Sequence, residues 1–243
     1  MEQIRDLADS RLVNGCLYCG DPEETREHVP SKVFLDKPFP TNLPVVPACR
    51  PCNNGFAADE EYVACLIESV VCGSTDPDSL VRERIAEILR RSPRLRAKLE
   101  SARVEGSDPV QFKVEQERVE RVFLKLAQGH AAFELSQVCR RKPDSIVVAA
   151  LESLPAEVQD EFQSAHIAQL LGEVGSRGMQ RQFAVHVPVE NQDGAGLNLG
   201  FVATDWVDVQ NQQYRYLAID DVGGIRVKIL VREYLACEVV WCQ

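Results

Sequence analysis

Two Cys-x-x-Cys pairs constrain this chain more than any other feature: Cys16 and Cys19 within CLYCG, and Cys49 and Cys52 within CRPCN. Each pair presents two thiolates on a tight turn. Four thiolates from two such turns satisfy tetrahedral Zn²⁺, and they leave no open coordination position, so the predicted zinc is structural. A lone pair would be read as buried or redox thiols; two pairs favour a shared metal. The opening residues, MEQIRDLADS, carry acids and no apolar run, so no secretory leader is expected. A cytoplasmic chain keeps its thiols reduced, which favours metal binding over disulfides for its nine cysteines. Cys65, Cys72, Cys139, Cys237 and Cys242 lack the paired spacing and are expected to be core or incidental thiols.

The 243 residues are 45% apolar and 26% charged. That is an ordinary globular composition and excludes a disordered or collagen-like chain. No apolar run is long enough to span a membrane. A net charge of −10 argues against coating nucleic acid by bulk charge. The charge is uneven, however: residues 1–75 carry −6, residues 76–145 carry +3, and residues 146–243 carry −7. The basic stretch includes Arg82, Arg84, Arg90, Arg91, Arg94, Arg96, Lys98 and Arg103.

Patterning predicts an α+β fold in three parts. Residues 1–75 hold the Cys pairs and a helix opening near Pro51, a residue that suits a first helical turn. Residues 76–176 are expected to be helical: one helix capped by Asp78 or Ser79, one starting at Pro93, one from about Val114 to Val138, and one from Pro155 to Gly172 or Gly175. Residues 177–243 turn β-branched and aromatic, in segments separated by NQDGAG and DDVGG, and predict a small antiparallel sheet.

Between the Cys pairs lie Glu27-His28-Val29-Pro30 and Asn42-Leu43, and Cys52 is followed at once by Asn53-Asn54. Taken with CLYC and ACRPCNN, this pattern resembles the zinc-bearing HNH endonucleases over residues 14–68, about a quarter of the chain. The resemblance implies a zinc-stapled ββα module that hydrolyses phosphodiesters in DNA, as such modules do in bacterial defence against foreign DNA. By resemblance, His28 is the general base, a task imidazole suits because its pKa is near neutral. Glu27 and Asn53 (or Asn54, which sequence cannot separate) would hold a hard catalytic cation, Mg²⁺ or Mn²⁺, with oxygen ligands. Asn42 would tether the loop that orients His28. Glu27 stands where many members have Asp. Ala57, four residues past Asn53, supplies no second ligand on the helix.

Outside the module, Arg90, Arg91, Arg94 and Arg96 are candidates for phosphate contact, weighed evenly against a solvated helix face. Asp59, Glu60 and Glu61 read as a solvated face. His130, His166 and His186 read as packed or hydrogen-bonded histidines. Tyr214 and Tyr216 read as packing or protein-contact residues in preference to base-stacking ones. The acidic C-terminal region suggests a protein partner or effector. Two further readings stay open: a non-catalytic zinc-scaffolded module that binds nucleic acid or protein, and an RNA nuclease.

Overall fold

The structure is a computed structural model that describes residues 15–104, 106–107, 110–190 and 196–242. The leader reading of the first ten residues, and the NQDGA part of one expected turn, lie outside these.

The chain opens with an antiparallel hairpin of β1 (Thr25–His28) and β2 (Val45–Ala48), with Glu27 opposite Val46 and His28 opposite Val45. The helix α1 (Arg50–Cys72) follows directly, so the three elements run β-β-α. Cys49 is its N-cap and Pro51 sits in its first turn, where a missing N–H costs nothing. Gly73, in the left-handed region at φ 64°, closes it.

The helices α2 (Glu83–Arg91), α3 (Pro93–Ala102) and α4 (Gln116–Leu135) come next. The predicted cap at Asp78 or Ser79 is instead part of a short 3₁₀ turn, Pro77–Ser79, and α2 starts four residues after it. Two strands then interrupt the region expected to be helical. β3 (Ser145–Ala150) precedes the short α5 (Ala156–Gln163), and β4 (His166–Ala168) follows it. The helix expected to reach Gly172 or Gly175 therefore stops at Gln163. A single turn, α6 (Arg177–Arg181), leads into the β-rich remainder.

That remainder is β5 (Phe183–Glu190), β6 (Gly196–Thr204), β7 (Val207–Gln210), β8 (Tyr214–Asp221), β9 (Gly224–Val231) and β10 (Leu235–Trp241). The expected small sheet is two sheets. One has five strands in the order β3-β10-β9-β8-β7, and the other has three in the order β4-β6-β5. Each recruits a strand from the middle region, and all pairings are antiparallel.

Alternation along the large sheet sends Tyr214, Tyr216, Val227, Ile229, Val239 and Trp241 to one face. That face packs on α4, which also lies against α1 and α2 residues such as Val63, Ile67, Ile85 and Leu89. One continuous core thus runs from Val33 to Trp241. The boundaries read near residues 75 and 176 mark changes of secondary structure, and residues from all three regions share this core. Cys65, Cys139 and Cys237 are buried, as read; Cys242 is exposed. No helix among the described residues is long and apolar enough to cross a membrane.

Candidate functional site

The Sγ atoms of Cys16, Cys19, Cys49 and Cys52 all lie within 4.8 Å of one another. Cys19 and Cys49 are 3.6 Å apart. Zn–S bonds of about 2.3 Å in a tetrahedron place sulfurs about 3.8 Å apart. The cluster therefore has the size of a Cys₄ site and can hold a metal such as zinc.

Local structure explains the convergence. The Cys16 amide donates to the Asp21 carbonyl at 2.6 Å, and the Gly20 amide donates to the Cys16 carbonyl at 2.9 Å, closing the first turn. Gly15, at φ 77°, begins it; a Cβ there would sit 2.6 Å from the Asp21 oxygen, so only glycine fits. The Leu17 amide donates to the Pro47 carbonyl at 2.9 Å and ties this turn to the strand leading into Cys49. From 124 residues away, Arg140 donates to the Cys16 carbonyl at 2.9 Å and to Leu17 at 3.1 Å. Burial alone would raise the Cys16 thiol, but backbone N–H groups of Cys49, Cys19 and Tyr18 outweigh it and hold the thiol down to about 7.

The four-cysteine cluster sets where α1 begins. Asn53 lies in its first turn, half-buried, and its Nδ2 donates to Thr25 Oγ1 at 3.0 Å. That leaves Asn53 Oδ1 without a partner among the described residues. Asn54 is exposed and makes no side-chain hydrogen bond among them. Asn42 is exposed in the turn before β2 and likewise forms none, so the tether expected of it is not among its contacts.

Glu27 is held differently from the expectation. It shares the Thr25 face of β1, by strand alternation. There its carboxylate is buried and accepts from Lys125 Nζ of α4 at 2.8 Å. The same ammonium donates to Ser31 Oγ at 3.0 Å and contacts Glu60. Ser31 Oγ donates to Glu60 at 2.5 Å and approaches Glu27 at 3.3 Å. Lys125 is 1% exposed, and its Nζ also lies 5.3 Å from the Phe56 ring centroid. Burial raises the Glu27 pKa, with Lys125 pulling against it. The ammonium occupies Oε1 of Glu27, so a divalent cation there would have to use the second carboxylate oxygen or displace Lys125. Asp59 and Glu60, expected in solvent, are both buried. Asp59 accepts from Arg118 at 2.6 Å and Arg121 at 3.0 Å. The missed signal is the spacing of Arg118, Arg121 and Lys125 on one stripe of α4, which needs acidic partners when buried.

His28 is the last residue of β1 and follows Glu27 on the opposite strand face. It is half-buried, and its Nε2 is buried with no partner among the described residues. Burial lowers its pKa, and Lys32 and Lys125 add to the effect, which favours the uncharged ring. Directly after it, Val29 packs on the backbone of α4 at Gly129, where a Cβ would lie 2.7 Å from Val29 Cγ2. A mid-helix glycine costs about 1 kcal/mol against alanine; here it admits the strand end that carries His28.

The arginine cluster divides. Arg90 pairs with Glu83 at 2.7 Å and Asp78 at 3.0 Å, and Arg96 pairs with Asp76 at 3.1 Å. Arg91 and Arg94 are exposed with no ion pair among the described residues. Arg82 is buried and structural: it meets Asp36 at 2.8 Å and the Val33 carbonyl at 3.0 Å. The other histidines are occupied or peripheral. His130 is fully buried, 2.8 Å from Tyr214 Oη and stacked on Tyr216 at a centroid distance of 3.7 Å. Both tyrosines are 1% exposed and serve packing. His166, on a strand and not a helix, meets Asp221 at 2.7 Å. His186 is exposed on β5.

Comparison with protein-family models, with curated proteins and with solved structures finds no match. The chemistry of the site therefore rests on its own residues.

Proposed function

We propose that this chain is a zinc-scaffolded endonuclease of the HNH type that hydrolyses phosphodiester bonds in DNA. The observation that carries the reading is the end of β1. There a four-thiol frame fixes the start of α1 against the hairpin, and the hairpin ends on a half-buried imidazole, its pKa held below the ordinary value, whose buried Nε2 has no partner among the described residues. A general base needs that state: uncharged at working pH and not already hydrogen-bonded. Asn53 Oδ1, at the first turn of α1, offers an oxygen for substrate or cation. Arg91 and Arg94 supply unpaired charge for the backbone of the strand.

In this mechanism His28 takes the proton from the attacking water, and Thr25 holds the Asn53 side chain in place. A divalent cation, where used, would neutralise the phosphate; Asn53 Oδ1 and the second oxygen of Glu27 are the ligands available for it, with the first Glu27 oxygen engaged by Lys125. A second reading follows from that engagement: a zinc-scaffolded module that binds nucleic acid without cutting it.

A nicking assay separates the two. Zinc-loaded protein is incubated with supercoiled plasmid, single-stranded DNA and RNA, with and without Mg²⁺ or Mn²⁺. Cleavage that disappears in His28→Ala, with zinc content and melting temperature retained, supports the nuclease. Binding without cleavage under every condition leaves the binding module, and cleavage confined to RNA reassigns the substrate.

A further inference from the structure

The three-stranded sheet β4-β6-β5 has one face that nothing in the described protein covers. Its register pairs Ile167 and Phe183 with Ala203, Phe201 with Val185, and Leu199 with Val187. Cross-strand partners share a face, so these residues lie together. Ile167, Phe183, Val187, Val189, Leu199 and Phe201 are each between 39% and 51% exposed. None of the six belongs to any buried cluster. At the β4 end the opposite face turns to the body of the protein, while Ala184, His186, Pro188, Asn198 and Gly200 further along that face are exposed. His166 meets Asp221 there, and Ala168 and Thr204 line a small cavity with Ala218 and Ile219. The apolar face therefore points outward.

We propose that this face is an interface between two copies of the chain, stacked sheet on sheet about a two-fold axis. Size is the first argument. The strands contribute 3, 8 and 9 residues. At about 3.4 Å along a strand and about 4.8 Å between strands, they cover about 330 Å². With side-chain relief, two such faces in contact bury about 900–1,000 Å² in total, the size of a weak, reversible interface. An apolar patch of this extent matches the largest patch of a typical monomer, and such patches are often functional.

Chemistry is the second argument. The six side chains carry no charge and no hydrogen-bonding group, so the face has no pattern with which to select a different protein. It does suit its own image, since a two-fold axis brings identical apolar rows together. It also gives two chains of net charge −10 a neutral strip on which to meet. The edge supplies the third argument. β5 is an outer strand, and Pro188 within it lacks an N–H. Proline on an edge opposes strand addition, so a second copy covers the face and does not lengthen the sheet.

The test is sedimentation velocity on the full, zinc-loaded chain from ~1 to ~200 μM, a range that brackets the micromolar Kd expected of so small an interface. Wild type should pass from monomer to dimer. Phe201→Glu, which sets carboxylates against each other, should raise the dimer Kd more than tenfold with zinc content and melting temperature unchanged. Leu199→Thr, which keeps strand propensity, should weaken the dimer in the same direction if the glutamate disturbs folding. A wild type that stays monomeric throughout overturns the proposal, whether or not it captures some other protein. So does a dimer that survives both substitutions.

Discussion

His130 should make the stability of this protein depend on pH between about 6.5 and 3. In the folded chain the ring is fully buried, with Nε2 on Tyr214 and Nδ1 without a partner among the described residues. Protonation would put a second N–H where nothing accepts it. Burial accordingly holds the pKa down to about 3, with Arg181 adding to the effect, against an ordinary value of 6.5. The sign follows from which state takes the proton. Below pH 6.5 the unfolded chain binds one and the native chain does not, so stability is full above 6.5 and is lost as pH falls toward 3. At pH 5 the unfolded state gains a factor of about 30, or about 2 kcal/mol. His130→Gln keeps a polar group near Tyr214 but does not titrate, and losing the stack on Tyr216 should cost about 1–3 kcal/mol at pH 8. The gap between wild type and variant should then shrink by about 2 kcal/mol between pH 8 and pH 5. Urea unfolding followed by the fluorescence of Trp206 and Trp241 measures it. Zinc release at low pH affects both proteins alike and drops out of the difference. A gap that stays constant over that range would refute the reasoning.

Three further outcomes are expected. Elemental analysis should find about one zinc per chain, and Cys49→Ser should lose it together with the order of the hairpin, visible as lost amide protection over residues 16–53. Lys125→Met leaves Glu27 and Glu60 buried without their cation and should cost about 3–5 kcal/mol in urea unfolding; adding Glu27→Gln and Glu60→Gln should recover much of that, and a failure to do so would mean the ammonium is not what the carboxylates need. Arg91→Glu with Arg94→Glu should lower DNA affinity and reduce the slope of log K against log salt by about 2, whereas reversing Arg90 or Arg96, which already face acids, should change it less.

What sequence reveals here depends on distance along the chain. The four clustered cysteines are legible because each pair is a local turn whose chemistry admits few alternatives. The start of α1 follows from Pro51 and the Cys49 turn, and the packed state of His130 follows from its small neighbours. The ion cluster is not legible from one end. Glu60 reads as solvated until α4 brings Lys125 to it from 65 residues away. β3, with sequence SIVVAA, has strand-forming residues but no nearby mate; its partner is β10, about 90 residues later. Glu27 was read through the resemblance alone, which does not see what a helix outside the motif contributes.

The helix α4 changes what kind of object the first seventy-five residues are. On one side Lys125 holds Glu27, Gly129 receives Val29, and Ala132 and Phe133 pack on Leu17, Val29 and Val46. On the other, His130 and Phe123 belong to the wall that meets the large sheet. The hairpin with its four-cysteine cluster is therefore not a cassette. Excised, it would lose its floor and leave two acids facing water they are not built for. Grafted onto another chain, it would need a helix with a lysine, a glycine and an aromatic at the same spacing. Whatever chemistry resides at His28 evolves only together with the body of the protein.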